Sequence, residues 1–442
     1  ELSLWLKKIK KQKIENVILE ASSHGLKQNR LDGLEFKLGI FTNLSHDHLD
    51  YHKNFKDYFK SKLYLFEKLV KRNSSVITDI EIPEYKKIKN IALKRNLNIK
   101  TISNHKSSLN VISHRYLEGK QSIEIKYKNN FYKFQTTLVG KIQIKNILMA
   151  MLAAEKSGLK FEKIIKVIDK VVPVRGRLEQ VGKIKNKAKV ILDYAHTPDA
   201  LKACLQSLKE QFKGKKISIV FGCGGNRDKS KRSMMGKIAR RYCDKIYLTD
   251  DNPRNENPKK IRSTIKKQIN KLNFFEIPDR SKAIKKAIFD LKIGNILIVA
   301  GKGHENIQDY GQIKKSFSDK KEILKSIETK NKVLSSNIKL NILNELSGSN
   351  NISLKTKINN ASINSKEIKK HDIFFAIKGK NKNGNLFVQE AFKKGASLAI
   401  VNDLKKKPKQ IKVKDTLKFL TKSSSLLREN TASKIIAITG SC

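Results

Sequence analysis

Short apolar runs alternate with amphipathic stretches along most of this chain. The runs at 17–20 (Val-Ile-Leu-Glu) and near 38–44 read as strands, and about 54–72 reads as a helix. From 109 to 139 the pattern turns β-rich: Ser-Ile-Glu-Ile-Lys-Tyr (122–127) alternates, and Asn129-Asn130 marks a turn. Ile144, Ile147, Leu148, Met151 and Leu152 then recur at helical spacing and predict a helix over about 143–157.

Residues 175 to about 328 give a cleaner pattern. Val190–Asp193, Ile217–Phe221, Lys245–Thr249 and Ile296–Ala300 are strand-length apolar runs separated by helical patterns. Thr197 and Pro198 supply an N-cap and a first-turn proline for the helix after the first run. Alternating strands and helices imply a parallel sheet, whose ligands sit at the carboxyl ends of its strands. Four polar, glycine-bearing loops fall at those ends: Asp193-Tyr-Ala-His-Thr-Pro, Gly222-Cys-Gly-Gly-Asn-Arg-Asp-Lys, Asp250-Asp-Asn-Pro-Arg and Gly301-Lys-Gly-His-Glu. Turn punctuation explains their glycines but not the His, Arg and Glu beside them.

Residues 329–356 are rich in Ser, Asn and Lys and read as a linker or loosely packed lead-in. Asp372–Ile377 reads as a strand, Leu386–Lys394 as a helix and Ser397–Val401 as a strand, together a small α/β unit over about 357–430. Ile435–Ile438 opens another strand that runs into Thr439-Gly440-Ser441.

Composition changes this picture little. The chain has 442 residues, 39% hydrophobic, enough for two to four domains with real cores. A formal net charge of +53 raises nucleic acid as a partner. The lysines are scattered through nearly every segment, however, and no aromatic-plus-arginine motif accompanies them. A basic nucleic-acid-binding protein is therefore the competing class and not the first reading. Cys204, Cys223, Cys243 and Cys442 match neither a zinc site nor a disulfide framework, which points to a reducing, cytoplasmic setting. No apolar run is long enough to span a membrane. Both ends fall in mid-pattern and look cut.

The stretch from Glu20 to Lys62 holds the most distinctive chemistry. One apolar run delivers Glu20 to its end, the next delivers the histidines and aspartates of 42–52, and Lys62 follows His48 by fourteen positions. Carboxylates with imidazole suit a hard divalent cation holding phosphates.

Seven ordered motifs resemble the Mur ligase family over about three quarters of the chain. They are Glu20-Ala-Ser-Ser-His-Gly-Leu26, Asn43-Leu-Ser-His-Asp-His-Leu-Asp-Tyr-His52, Arg175-Gly-Arg177, Asp193-Tyr-Ala-His-Thr-Pro-Asp199, Gly222-Cys-Gly-Gly-Asn-Arg-Asp-Lys229, Asp251-Asn-Pro-Arg254 and Gly301-Lys-Gly-His-Glu305. The nearest branch adds meso-diaminopimelate to UDP-N-acetylmuramoyl-L-alanyl-D-glutamate, using ATP and Mg2+. The resemblance implies an α/β protein. Residues 1–173 would be a central P-loop-type ATPase domain, truncated of its P-loop, and 174–328 a Rossmann-like C-terminal domain. After the 329–356 lead-in, 357–430 would be the N-terminal substrate-binding domain of a second ligase of the family, which adds D-alanyl-D-alanine. Residues 431–442 would open that enzyme's central domain. Asn364-Ser-Lys366 stands where Asp-Ser-Arg is usual there. On this reading the chain is part of a bifunctional ligase, inactive by itself.

By the same resemblance Glu20 and His48 hold magnesium, and Lys62 joins them if carbamylated. Ser22, Gln28 and Arg30 contact the UDP-muramoyl-peptide, while Asn146, Arg177, Asp193 and His196 contact ATP. Arg227, Asp251, Asn252, Arg254, Gly301 and Glu305 form the diaminopimelate pocket. There the arginines meet the distal carboxylate, and Asp251 and Glu305 meet the ammonium. A lysine-adding or folate-extending ligase is the alternative within the enzyme class.

Overall fold

The computed structural model describes residues 2–45, 47–48, 51–117, 119–269, 273–336, 338–348, 356–379, 382–403 and 409–429. The motif residues His46 and Asp50 and the strand and loop expected at 435–441 lie outside the described residues.

The first unit is a six-stranded sheet with helices. Its elements are α1 (Leu2–Lys11), α2 (Ser23–Lys27), β1 (Phe36–Phe41), α3 (Phe55–Tyr64), β2 (Val70–Asp79), α4 (Tyr85–Lys94), β3 (Asn98–Ser103), β4 (Leu109–Leu117), β5 (Lys120–Tyr127), β6 (Asn130–Thr136), α5 (Lys141–Lys156) and α6 (Phe161–Ile165). Strand order follows the sequence, β1 to β6. The first four strands are parallel, and β5 and β6 return antiparallel. Ile144, Ile147, Leu148, Met151 and Leu152 of α5 are all buried, as their spacing predicted, against Ile77, Ile102, Leu109, Ile123 and Ile125 of the sheet.

Two expectations fail here. Residues 14–22 form no strand, and Ile18 is fully exposed. A four-residue apolar run becomes a strand only where a neighbour takes its backbone N–H and C=O groups, and this run has no ladder partner. The helix expected over 54–72 ends as α3 at Tyr64, followed by one π-helical turn (Leu65–Leu69) that passes straight into β2. Val70 is fully buried as the first residue of that strand, where it pairs with Phe36.

The second unit is doubly wound. It comprises β7 (Glu179–Gln180), β8 (Lys189–Asp193), α7 (Pro198–Gln211), β9 (Ile217–Phe221), α8 (Ser230–Tyr242), β10 (Lys245–Leu248), α9 (Pro258–Lys266), β11 (Phe274–Glu276), α10 (Arg280–Phe289), β12 (Ile296–Ala300), the hairpin β13 (Ile307–Asp309) and β14 (Lys314–Ser316), and α11 (Asp319–Ser336). The order β11-β10-β9-β12-β8-β7 is parallel except for β7. Both faces are covered. Ile191, Ile217, Ile219, Phe221 and Ile298 pack on one side, and Val190, Leu192, Val220, Leu297 and Val299 on the other, so the strands are apolar throughout. Capping fixes the helix starts: Thr197 accepts from the Ala200 N–H (3.3 Å), Asn257 from Lys259 (2.9 Å) and Asp279 from Lys282 (2.9 Å). β12 inserts between β8 and β9, so the winding of the chain reverses within the sheet, and doubly wound sheets take their ligands at such a point beyond the carboxyl ends of the strands.

The segment expected as a linker is largely helical: α11 runs to Ser336, and α12 (Ile338–Ser347) follows. The third unit comprises β15 (Ala361–Ser362), β16 (Ile373–Phe375), α13 (Val388–Lys393), β17 (Leu398–Val401), β18 (Gln410–Lys412) and α14 (Thr416–Glu429), with all four strands parallel in sequence order. Leu343 of α12 is buried in its core with Phe375, Leu398 and Ile400. Polar composition made this segment look like a linker, but a few apolar residues at helical spacing suffice to dock it. No helix among the described residues is long and apolar enough to cross a membrane.

Candidate functional site

The loop leaving β1 carries Asp47 and His48, and α3 brings Lys62 back beside it. Asn54 starts α3 by accepting from the Asp57 N–H (2.9 Å). His48 adopts a left-handed φ of 56°. Its ring lies 5.8 Å from that of Tyr58, and the Lys62 ammonium stands 5.4 Å from the same ring. Burial pulls the Lys62 pKa down against the attraction of Asp47 and Glu20. His48 and Lys62 thus meet at the Tyr58 ring, and Glu20 lies near enough to attract the Lys62 ammonium. Asp47 was quoted within a motif but not singled out, and it is the hub. Burial alone would raise its pKa, yet His196 and His48 outweigh that and hold it at about 2.

The residues expected around the peptide substrate flank this cluster. Ser22 caps α2, accepting from the Gly25 N–H (3.1 Å). Gln28 donates to the Tyr51 hydroxyl (2.9 Å), and the Tyr51 ring lies tilted against His24 with ring centres 4.0 Å apart. Arg30 is exposed just beyond.

Across from them stands the carboxyl edge of the second sheet. His196 presents Nε2 to Asp47 (3.5 Å) and Nδ1 to the Tyr194 carbonyl (2.9 Å). Arg177 lies over the Tyr194 ring at 4.5 Å. Asp193 is buried, and its oxygens accept from the Leu178 and Ala195 N–H groups at 2.7 and 2.8 Å, so this carboxylate ties two loops together. Desolvation raises its pKa. Asn146 is exposed on α5. Its neighbour Gln143 makes the bridge to the second sheet, donating to the Arg177 carbonyl (3.1 Å).

Gly176 explains why the Arg-Gly-Arg, Asp-Tyr-Ala-His and Gly-Lys-Gly-His-Glu loops pack together. Its φ is +68°, and a Cβ there would fall 2.4 Å from the His304 nitrogen.

The arginine-bearing loops also meet. Gly225 packs so closely on the Asp-Asn-Pro-Arg turn that a Cβ would lie 1.8 Å from the Pro253 oxygen. Arg254 donates to the Gly225 carbonyl (2.8 Å), and a Cβ on Gly224 would stand 3.0 Å from Arg254 Nη1 and 3.9 Å from Arg227 Cγ. The two arginines therefore share one rim, and Arg227 lines a cavity of about 420 Å³ with Asn226, Asp228, Lys229 and Glu256. Asp251 sits beneath Gly301 (φ +113°), and Asn252 donates to Glu305 (2.9 Å). The sequence reading missed two supports of this rim. Arg280 is fully buried, pairs with Asp319 (2.7 Å) and approaches Asp251 to 3.9 Å. Lys302 is fully buried against Asn252 and Glu305. Lys302 stood inside a quoted motif, whereas Arg280 opens an ordinary helix and carries no local signal.

Residues 1–154 match the Mur ligase middle domain, and residues 176–303 match the Mur ligase glutamate ligase domain. The chain carries the middle and C-terminal domains of a Mur ligase.

Similar proteins named UDP-N-acetylmuramoyl-L-alanyl-D-glutamate–2,6-diaminopimelate ligase include one from Rickettsia bellii, 42% identical over 313 residues (71% of this chain, 65% of that protein). Another, from Agrobacterium fabrum, is 37% identical over 322 residues (73% and 65%). The chain thus spans just under two thirds of the length of the curated relatives it matches. A solved structure bearing the same ligase name is 30% identical, with a TM-score of 0.50 over 70% of this chain and 64% of that one. A MurF ligase from Thermotoga maritima in complex with ADP shares the fold at 15% identity, with a TM-score of 0.53 over 71% and 66%.

Among the described residues no three His, Cys, Asp or Glu side chains converge as ligands of one metal ion. In this Mur ligase, Glu20 and His48 would therefore supply a cation with a partial shell at most. Magnesium accepts such a shell when substrate phosphates complete its coordination.

Proposed function

We propose that the protein acts in ATP-dependent amide-bond formation, joining meso-diaminopimelate to UDP-N-acetylmuramoyl-L-alanyl-D-glutamate in cell-wall precursor synthesis in the cytoplasm. The observation that carries this reading is the approach of Arg254 Nη1 and Arg227 Cγ to Gly224, on loops that adjoin Asp251 under Gly301 and the Asn252–Glu305 hydrogen bond. An amino acid with a distal carboxylate and a distal ammonium needs both signs of charge at one rim, and a guanidinium fork suits the carboxylate. The names of the relatives agree with it.

The reaction divides between the two sheets. A glutamyl carboxylate oxygen attacks the γ-phosphorus of ATP, ADP leaves, and an acyl phosphate results. The incoming amine adds to its carbonyl carbon, the tetrahedral intermediate expels phosphate, and the amide forms with loss of the amine's proton. Ser22, Gln28 and Arg30 hold the peptide substrate at the edge of the middle sheet. Arg177 and His196 present cationic or donor groups to the nucleotide from the opposite edge, with Asn146 at the adenine side. Asp193 acts through the loops it ties. Magnesium, held by Glu20 and His48, would supply charge neutralisation for the phosphates. The Lys62 amine, held below its ordinary pKa, is suited to take up CO2 as a carbamate, which would replace a cation with an anionic oxygen.

The third unit, by the same proposal, begins a second ligase that adds D-alanyl-D-alanine. In its parallel sheet the Asn364-Ser-Lys366 turn follows β15 at a carboxyl edge, and Ser365 is fixed there by Glu390 (2.9 Å).

The test, made on the full-length protein because residues 1–442 alone are expected to be inactive, is phosphate release with ATP and UDP-N-acetylmuramoyl-L-alanyl-D-glutamate, offered meso-diaminopimelate, L-lysine or L-glutamate. Release with diaminopimelate alone is expected. Equal use of lysine, or use of glutamate on a folate acceptor, would overturn the assignment.

A further inference from the structure

We propose that Lys302 is a positioning residue that sets which amino acid the pocket accepts, an inference that rests on the ligase reading above. Its side chain is fully buried, and its three ammonium hydrogens meet three acceptors: Asn252 Oδ1 (2.8 Å), Glu305 Oε2 (3.0 Å) and the Ile307 carbonyl (2.6 Å). None is left for a substrate, so Lys302 acts through its neighbours.

Its first effect is on Asn252. The Oδ1 atom accepts from Lys302 and from the Asp309 N–H (2.9 Å), which turns the Nδ2 atom to Glu305 Oε2 (2.9 Å). An amide with both ends fixed offers one orientation only. Its second effect is on Glu305. Oε2 receives Lys302 and Asn252, while Oε1 meets the Tyr194 hydroxyl at 3.4 Å on a side chain that is partly exposed. One oxygen is saturated and the other is presented.

The third effect is charge. Lys302 offsets the Glu305 carboxylate at a rim that must also admit a substrate carboxylate. Without the ammonium, the wall gains a negative charge that repels diaminopimelate's distal carboxylate but not lysine, which has none. A sequence reading that gives Glu305 wholly to the substrate ammonium misses this internal counter-ion.

The experiment compares the full-length parent with Lys302→Met and with the double variant Lys302→Met/Glu305→Gln, which restores the charge count. Diaminopimelate and lysine kinetics and the ATP KM are measured for each. For Lys302→Met, the diaminopimelate KM should rise at least about tenfold with the ATP KM held within about twofold, and the lysine-to-diaminopimelate ratio of kcat/KM should rise. The double variant should recover part of that ratio. An unchanged diaminopimelate KM, an equal rise in both KM values, or no recovery in the double variant overturns the proposal. If the parent shows no diaminopimelate-dependent turnover, the ligase reading fails instead. If Lys302→Met does not fold, the comparison of Glu305→Gln with the parent decides: removal of the charge that Lys302 offsets should move the ratio in favour of diaminopimelate, and no movement overturns the proposal.

Discussion

Asp47 and His196 meet across two sheets, with carboxylate and imidazole 3.5 Å apart. One follows β1 of the middle domain and the other follows β8 of the C-terminal domain. The pair is partly exposed, so its direct contribution to stability is small, on the order of 1 kcal/mol or less. A double-mutant cycle of Asp47→Asn and His196→Ala, followed by urea unfolding, should give a coupling of that size. Both single variants should lose turnover by much more than their stability change explains.

Arg254 is a held fork and not merely a charge: Nη1 donates to the Gly225 carbonyl (2.8 Å) and Nε approaches Asp309 (3.8 Å), which fixes the guanidinium plane. Arg254→Lys keeps the charge and loses the fork. Its diaminopimelate KM should rise roughly tenfold, while the ATP KM stays level. Steady-state kinetics against each substrate checks the split.

Gly176 has no room for a side chain, because the backbone of His304 stands where a Cβ would go. Gly176→Ala should cost about 1–3 kcal/mol through the left-handed backbone and the displaced loop. The strands of the C-terminal sheet lie elsewhere, so the circular dichroism spectrum should persist while the ATP KM rises.

Glu81 gives the pH prediction. Burial alone would raise its pKa, but hydrogen bonds from Lys145, the Asn104 backbone and Ser103 outweigh that and hold it at about 2, below the ordinary 4.5. A carboxylate with a depressed pKa stabilises the folded state fully above pH 4.5, and that contribution is lost as pH falls from 4.5 towards 2. Glu81→Gln should therefore lower stability at pH 7 by about 1–2 kcal/mol, a figure reduced for partial solvent exposure. The gap between variant and parent should close on acidification. Denaturant midpoints at pH 7 and at pH 3 measure it.

Lys62 should be indispensable. Lys62→Ala is expected to fold and to lose essentially all turnover. In the parent protein, 13C-bicarbonate should give a carbamate carbon resonance that is absent from the variant.

The sequence by itself determined the doubly wound C-terminal sheet and the helix expected over about 143–157. These are local matters: strand-length apolar runs, helical spacing, an N-cap with proline, and glycine-rich loops at strand ends are all written in neighbouring positions. Tertiary structure alone decided the rest. The run at 17–20 lacks a ladder partner and stays irregular, and Val70 begins a strand because Phe36 stands beside it. The polar segment after Glu328 becomes helical because Leu343 finds a core. Asp47, Arg280 and Lys302 gained their importance from partners distant in the chain or hidden by the fold: His196, Asp319 and Asn252. A buried charge is tolerable only where its counter-charges converge, and the sequence names those partners without showing which of them will meet.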